Sequence, residues 1–125
     1  MPRRSPSPSS LRAHLAPRHK VWLNYDGAFL MGPNYLRFLE GVEETGTIRG
    51  GGAAVGWSYR TCLNRVRRME QTLGMPILVT ARGGSGHGSS ALTPEARRLV
   101  RIFREWREEM HRLSGRAFRK AFHPS

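Results

Sequence analysis

The stretch from Thr45 to Thr93 constrains the fold most. A short helical pattern leads through a tight turn into a second helix rich in arginine, and then come a strand, a glycine loop and another strand. That order describes a winged helix-turn-helix, an arrangement that seats one helix in the major groove of DNA. Charge follows the same outline. Residues 49–82 hold Arg49, Arg60, Arg65, Arg67, Arg68 and Arg82 against the lone acid Glu70, whereas the helical pattern before them sets Glu40, Glu43 and Glu44 against Arg37. Basic charge is gathered where a polyanion would lie, and binding through phosphates would be salt-dependent.

At 125 residues, 38% of them hydrophobic, the chain has enough apolar surface for one domain with a modest core. The formal charge of +12 is spread unevenly, because residues 1–19 and 114–125 hold basic residues and no acid. The Ser/Pro/Arg-rich residues 1–19 read as a disordered basic arm, and residues 114–125 as a basic tail. One cysteine, Cys62, leaves no internal disulfide and no cysteine zinc site. His14, His19, His87, His111 and His123 are scattered without ligand spacing, so neither metal nor cofactor is expected. Neither a signal peptide nor a membrane span is legible, which leads us to expect a cytoplasmic, nucleoid-associated protein.

The domain should run over 20–113. Val21, Leu23 and Tyr25 alternate, and Asp26-Gly27 supplies a turn before Ala28-Phe29-Leu30-Met31, which predicts an N-terminal hairpin. Tyr35, Leu36, Phe38, Leu39 and Val42 then recur at helical spacing over about 34–45, up to a left-handed stop at Gly46. Thr47 caps a second helix through Val55, although Gly50, Gly51 and Gly52 disfavour it by about 1 kcal/mol each. Gly56 makes the turn. Ser58 caps a helix over 59–73, whose Cys62, Leu63, Val66, Met69 and Leu73 form one apolar face.

That stripe leaves Tyr59, Arg60, Thr61, Asn64, Arg65 and Arg68 expected on the outer side. Arg60 is the best candidate to read a guanine edge; Thr61 suits a thymine methyl, Asn64 an adenine. Arg65, Arg67 and Arg68 suit phosphate. Thr47 and Arg49 on the preceding helix complete the helical part of the expected interface. Ile77-Leu78-Val79 reads as a buried strand and Ala91-Leu92-Thr93 as its antiparallel return, with Arg82, Gly84 and His87 of the intervening loop, the wing, placed to approach DNA. A phosphate-binding loop of an enzyme is the rival, but the loop lacks a Lys-Ser/Thr ending and does not lead into a helix. No pattern brings Ser, His and carboxylate together, so no enzyme is expected.

Thr93-Pro94-Glu95 starts a last helix that should reach about Leu113. Its Ala96, Leu99, Phe103, Trp106, Met110 and Leu113 are spaced like the seam of a helix pair. So long a seam exceeds what a small domain can bury. A homodimer joined through Leu99, Phe103, Trp106, Met110 and Leu113 is the expectation, which would set two reading helices against an inverted repeat. The fold class is therefore α+β, a winged helix-turn-helix with an N-terminal β-hairpin and a long C-terminal dimerisation helix. The expected function is sequence-specific binding of double-stranded DNA by a transcription regulator. The alternative is a nucleoid-associated, architectural protein with little sequence preference.

Four segments, Thr45-Gly-Thr-Ile48, Gly56-Trp-Ser-Tyr-Arg60, Gly83-Gly-Ser-Gly86 and Ala91-Leu-Thr93, together resemble the N-terminal DNA-binding domain of the ModE molybdate-responsive regulators, whose relatives include LysR-type winged helices. The resemblance covers about 20–113. It implies a dimeric regulator in which Ser58, Tyr59, Arg60 and Thr61 occupy DNA-contact positions and the last helix lies in the dimer interface. Full-length members carry C-terminal domains that bind molybdate or tungstate; no such segment follows here, so no molybdate site is expected in this chain. Leu63 stands where the family often has tryptophan, and Arg65 and Arg67 make the helix more basic than usual.

Overall fold

The computed structural model describes Ser5, residues 7–82 and residues 88–123, with the backbone alone at Arg82. The elements run α1 (Pro8–His14), β1 (Leu23–Tyr25), β2 (Ala28–Met31), α2 (Pro33–Thr45), α3 (Ile48–Val55), α4 (Tyr59–Leu73), β3 (Leu78–Arg82), β4 (Gly88–Leu92) and α5 (Pro94–Ala121). The strands form two antiparallel ribbons, β1 with β2 and β3 with β4. The class is mixed α and β, as expected.

Turn chemistry places most of these elements. Asp26 and Gly27 both take positive φ, 49° and 81°, which matches the right-handed twist of a tight hairpin. Helices α2, α3 and α4 each end on a left-handed glycine, Gly46, Gly56 and Gly74, whose N–H closes the last turn. Their starts are capped as well. Thr47 accepts the Gly50 N–H at 2.9 Å, and Ser58 accepts the Thr61 N–H at 3.1 Å. Thr93 is buried and works twice, accepting the Ala96 N–H at 3.2 Å and donating to the Pro76 carbonyl at 3.0 Å. It thereby ties the start of α5 to the entry of β3.

Helix α2 lies at the centre, with Leu36, Phe38, Leu39 and Val42 buried. Around it close Met31 from β2, Ile48 from α3, Cys62, Val66, Met69 and Leu73 from α4, and Ala96, Val100 and Phe103 from α5. The glycines of α3 resolve the conflict between poor helix propensity and an observed helix. A Cβ at Gly51 would stand 2.6 Å from the Phe38 carbonyl oxygen, and one at Gly52 2.6 Å from Cys62 Sγ. Neither backbone approach survives a side chain. Close packing of α3 against α2 and α4 therefore offsets what the glycines cost.

Three expectations are corrected. The strand expected at Ile77–Val79 runs over Leu78–Arg82, with Ile77 buried just before it and Val79 57% exposed. A two-stranded ribbon has only one face against the core, so most of β3 and β4 lies outside it. The last helix does not stop near Leu113 but continues through the expected tail to Ala121. Gly115 does not take the left-handed conformation there, and Phe118 stacks edge-on against Phe122 at 5.1 Å, an i,i+4 pair that holds the final turns. The arm is also not wholly without structure: Ser7 caps α1, and its Arg12 lies over the Phe122 ring at 5.6 Å. Further along, His19 meets His111 of α5 with ring centroids 4.6 Å apart.

Candidate nucleic-acid interface

Helix geometry divides α4 into faces. With 3.6 residues per turn, Arg67 lies about 20°, Asn64 about 40° and Arg68 about 80° around the axis from Arg60. Cys62, Val66, Met69 and Leu73, all buried, cluster on the opposite side. Arg60, Asn64, Arg67 and Arg68 are accordingly exposed. Among the described residues the ion pairs are Arg104 with Glu40 and Arg112 with Glu109, and neither draws on α4. Glu70, the acid of this helix, is taken up elsewhere. Its Oε2 accepts the Ile77 N–H at 2.8 Å and so anchors the entry to β3. Nothing in its sequence setting marks that role, because the partner is a backbone group delivered by the turn.

One flank of α4 opens onto a groove of about 920 Å³ between the start of α3, α4 and the β3–β4 ribbon. Thr47, Ile48, Arg49, Tyr59 and Leu63 line its helical side, Thr80, Ala81 and Gly88 to Ser90 its strand side. Arg49 lies over the Tyr59 ring at 4.7 Å, a cation–π contact that holds the guanidinium at the mouth of the groove. The ribbon is held to the helices by the Ser90 N–H, which donates to the Gly46 carbonyl at 2.7 Å. Thr61 is half-buried, and Ser58 Oγ donates to its hydroxyl at 3.0 Å. Both hydroxyls are thus partly engaged in capping.

Arg65 departs from expectation. It is half-buried rather than outward, its Nη1 donates to the Tyr35 hydroxyl at 2.6 Å, and its guanidinium lies 5.6 Å from the Tyr35 ring and 5.4 Å from that of Trp57. The cause is angular: Arg65 sits about 140° from Arg60, on the margin of the apolar face, where α2 and the turn before α4 present aromatic surface. Gly84, His87 and the Arg82 side chain lie outside the described residues.

On α5, Phe103 is also corrected. It is fully buried in its own core, edge-on to Trp106 at 5.9 Å, and so has no surface to offer a partner. Leu99, Trp106 and Met110 are half-buried, and Leu113 and Ile102 are 43% and 46% exposed. Ile102 was not singled out in the sequence, since it falls outside the strict seam spacing. Burial pushes the Cys62 thiol above its ordinary range, consistent with an inert packing role. Among the described residues no three His, Cys, Asp or Glu side chains converge as a metal site, and no helix is long and apolar enough to cross a membrane.

Comparison with known proteins adds partial likenesses to this geometry. The chain is 30% identical over 73 residues to the molybdenum-pterin-binding protein MopB of Rhodobacter capsulatus, covering 58% of this chain and 27% of that one. It is 29% identical over 101 residues to the molybdenum transport protein ModE of Azotobacter vinelandii, covering 78% and 37% respectively. Its relatives are named for molybdenum. A third, MopA of Rhodobacter capsulatus, is 31% identical over 77 residues, covering 62% of this chain and 29% of its own length. The chain spans about a third of the length of these relatives. No model of a known protein family matches it. The kinship to ModE-type proteins inferred from the Thr45–Thr93 motifs is in keeping with these relatives.

Proposed function

We propose that the chain is a winged helix-turn-helix protein that binds double-stranded DNA as a homodimer and regulates transcription in the cytoplasm. In this reading α3 and α4 are the helix pair, α4 the recognition helix and the β3–β4 ribbon the wing. The observation that carries it is the outward face of α4. Arg60, Asn64, Arg67 and Arg68 stand there exposed, directly after a capped turn and beside a groove bounded by the ribbon. Arg60, in the first turn, addresses base edges; Arg67, Arg68 and Arg49 take phosphate, and Thr47, Ser58, Tyr59, Thr61, Arg82, Gly84 and His87 belong to the surrounding contact surface. The half-exposed stripe of Leu99, Ile102, Trp106, Met110 and Leu113 on α5 is the dimer face, with two recognition helices about 34–36 Å apart or a multiple of it. A link to molybdenum comes through the relatives alone, and the residues named here make a DNA-reading surface.

The test is binding of the full chain to mixed-sequence duplex between about 50 and 200 mM salt. The reading expects log affinity to fall steeply with log salt, and Arg68→Ala to reduce that slope by about one. A flat dependence would contradict it. A second reading, an architectural protein that coats DNA, draws on Arg116, Arg119 and Lys120, exposed at the end of α5, and on Arg12 and Arg18 of the arm. It predicts that Arg60→Ala weakens binding to every duplex equally, whereas a regulator loses more on its preferred site.

A further inference from the structure

Arg65 is the one arginine of α4 that is half-buried and not exposed, and its surroundings form a chain of contacts across three elements. Phe29 of β2 meets Tyr35 of α2 edge-on at 5.4 Å, Tyr35 meets Trp57 edge-on at 5.2 Å, and Trp57 lies 5.3 Å from Phe38. Tyr35 is 7% exposed and Phe38 fully buried, so this aromatic column is rooted in the core. Trp57 directly precedes the N-cap of α4, and its N–H donates to the Gly52 carbonyl at 3.0 Å. Arg65, two turns along the same helix, closes the arrangement by lying over both Trp57 and Tyr35 and donating to the Tyr35 hydroxyl.

We infer that Arg65 is a positioning residue for DNA readout, not a phosphate contact. It fixes the rotation and tilt of α4 against α2, and thereby where the Arg60 guanidinium arrives. The inference rests on the DNA-binding reading above. Chemistry separates the two roles. A phosphate contact needs a positive charge within reach, which lysine supplies nearly as well; a forked, planar cation that lies near two rings while donating to a fixed hydroxyl needs arginine. Phosphate contact also leaves a mark in the salt slope, whereas an internal brace leaves none.

The experiment measures affinity of the full chain for a selected duplex and a scrambled one across salt, in wild type, Arg65→Lys, Arg65→Met, Tyr35→Phe and Arg68→Ala. Arg65→Lys should lower the preference for the selected duplex about tenfold, the size of one charge-assisted hydrogen bond. Arg65→Met should keep the wild-type slope, and Arg68→Ala should lose about one unit of slope while keeping the preference. Tyr35→Phe, which removes only the hydroxyl, should shift preference in the same direction as Arg65→Lys. Wild-type preference in Arg65→Lys, or a slope reduced by about one in Arg65→Met, overturns the inference. If the Arg65 variants do not fold, Tyr35→Phe decides, and unchanged preference there overturns it. A wild type that binds without preference has no readout to position and overturns the inference while leaving DNA binding itself standing. Failure of wild type to bind either duplex would instead overturn the DNA-binding reading.

Discussion

Helices α3 and α5 reach their places by opposite routes. The first is 8 residues long and holds Gly50, Gly51 and Gly52, a poor helix by intrinsic preference, yet its backbone is pressed against α2 and α4 where a Cβ would collide. The second is 28 residues long and rich in good helix formers, yet its buried residues, Ala96, Val100 and Phe103, all fall among its first ten positions. Beyond Trp106, which still packs against the core, the helix outruns it, and Leu113 is 43% exposed, as is Ile102 at 46% on the earlier turns. The contrast shows that propensity and apolar period say which face of a helix is sticky, and only packing says whose surface answers it. In α3 the domain answers; in α5 we propose that a second copy does.

The sharpest way to break this comparison is to empty the part of α5 that belongs to the domain. Phe103→Ala should cost about 3–5 kcal/mol of unfolding free energy in a chemical denaturation series. A cost under about 1 kcal/mol would mean that Phe103 faces outward as part of a seam after all. Next in size, Gly51→Val should cost about 3 kcal/mol by forcing α3 off α2, seen as a lowered thermal midpoint in circular dichroism. An unchanged midpoint would show that α3 does not pack as closely as described. Trp106→Glu combined with Leu113→Glu should shift the chain from dimer to monomer in sedimentation while leaving helix content intact; a persistent dimer would move the interface off α5. Smallest, Ser58→Ala should cost about 1 kcal/mol through the lost cap of α4, and no change would mean that the cap is replaced by water.

Much of this architecture was legible because it is written in local chemistry. Asp26-Gly27 announces a tight hairpin, Gly46, Gly56 and Gly74 sit where helices stop, and Thr47, Ser58 and Thr93 stand where they start. What escaped depends on partners distant in sequence. Arg65 looks like any other arginine of a basic helix until Tyr35, 30 positions away, offers its hydroxyl. Its place on the margin of the apolar stripe was the available signal, since a long cation there can lie along apolar surface. Phe103 fits a seam by spacing, but spacing carries no information on whether the core or a partner fills it. The expected end of the last helix near Leu113 follows the seam spacing, and only the Phe118–Phe122 pair, with Arg12 from the arm, shows why the helix goes on.

The central claim, a dimer that reads DNA sequence through α4, is tested most directly by selection from a randomised duplex library with the full chain at physiological salt, followed by sequencing of the bound fraction. The account predicts enrichment of an inverted repeat whose half-sites lie about one helical turn, or a multiple of it, apart. Retention without any enriched sequence, or no retention at all, would contradict it.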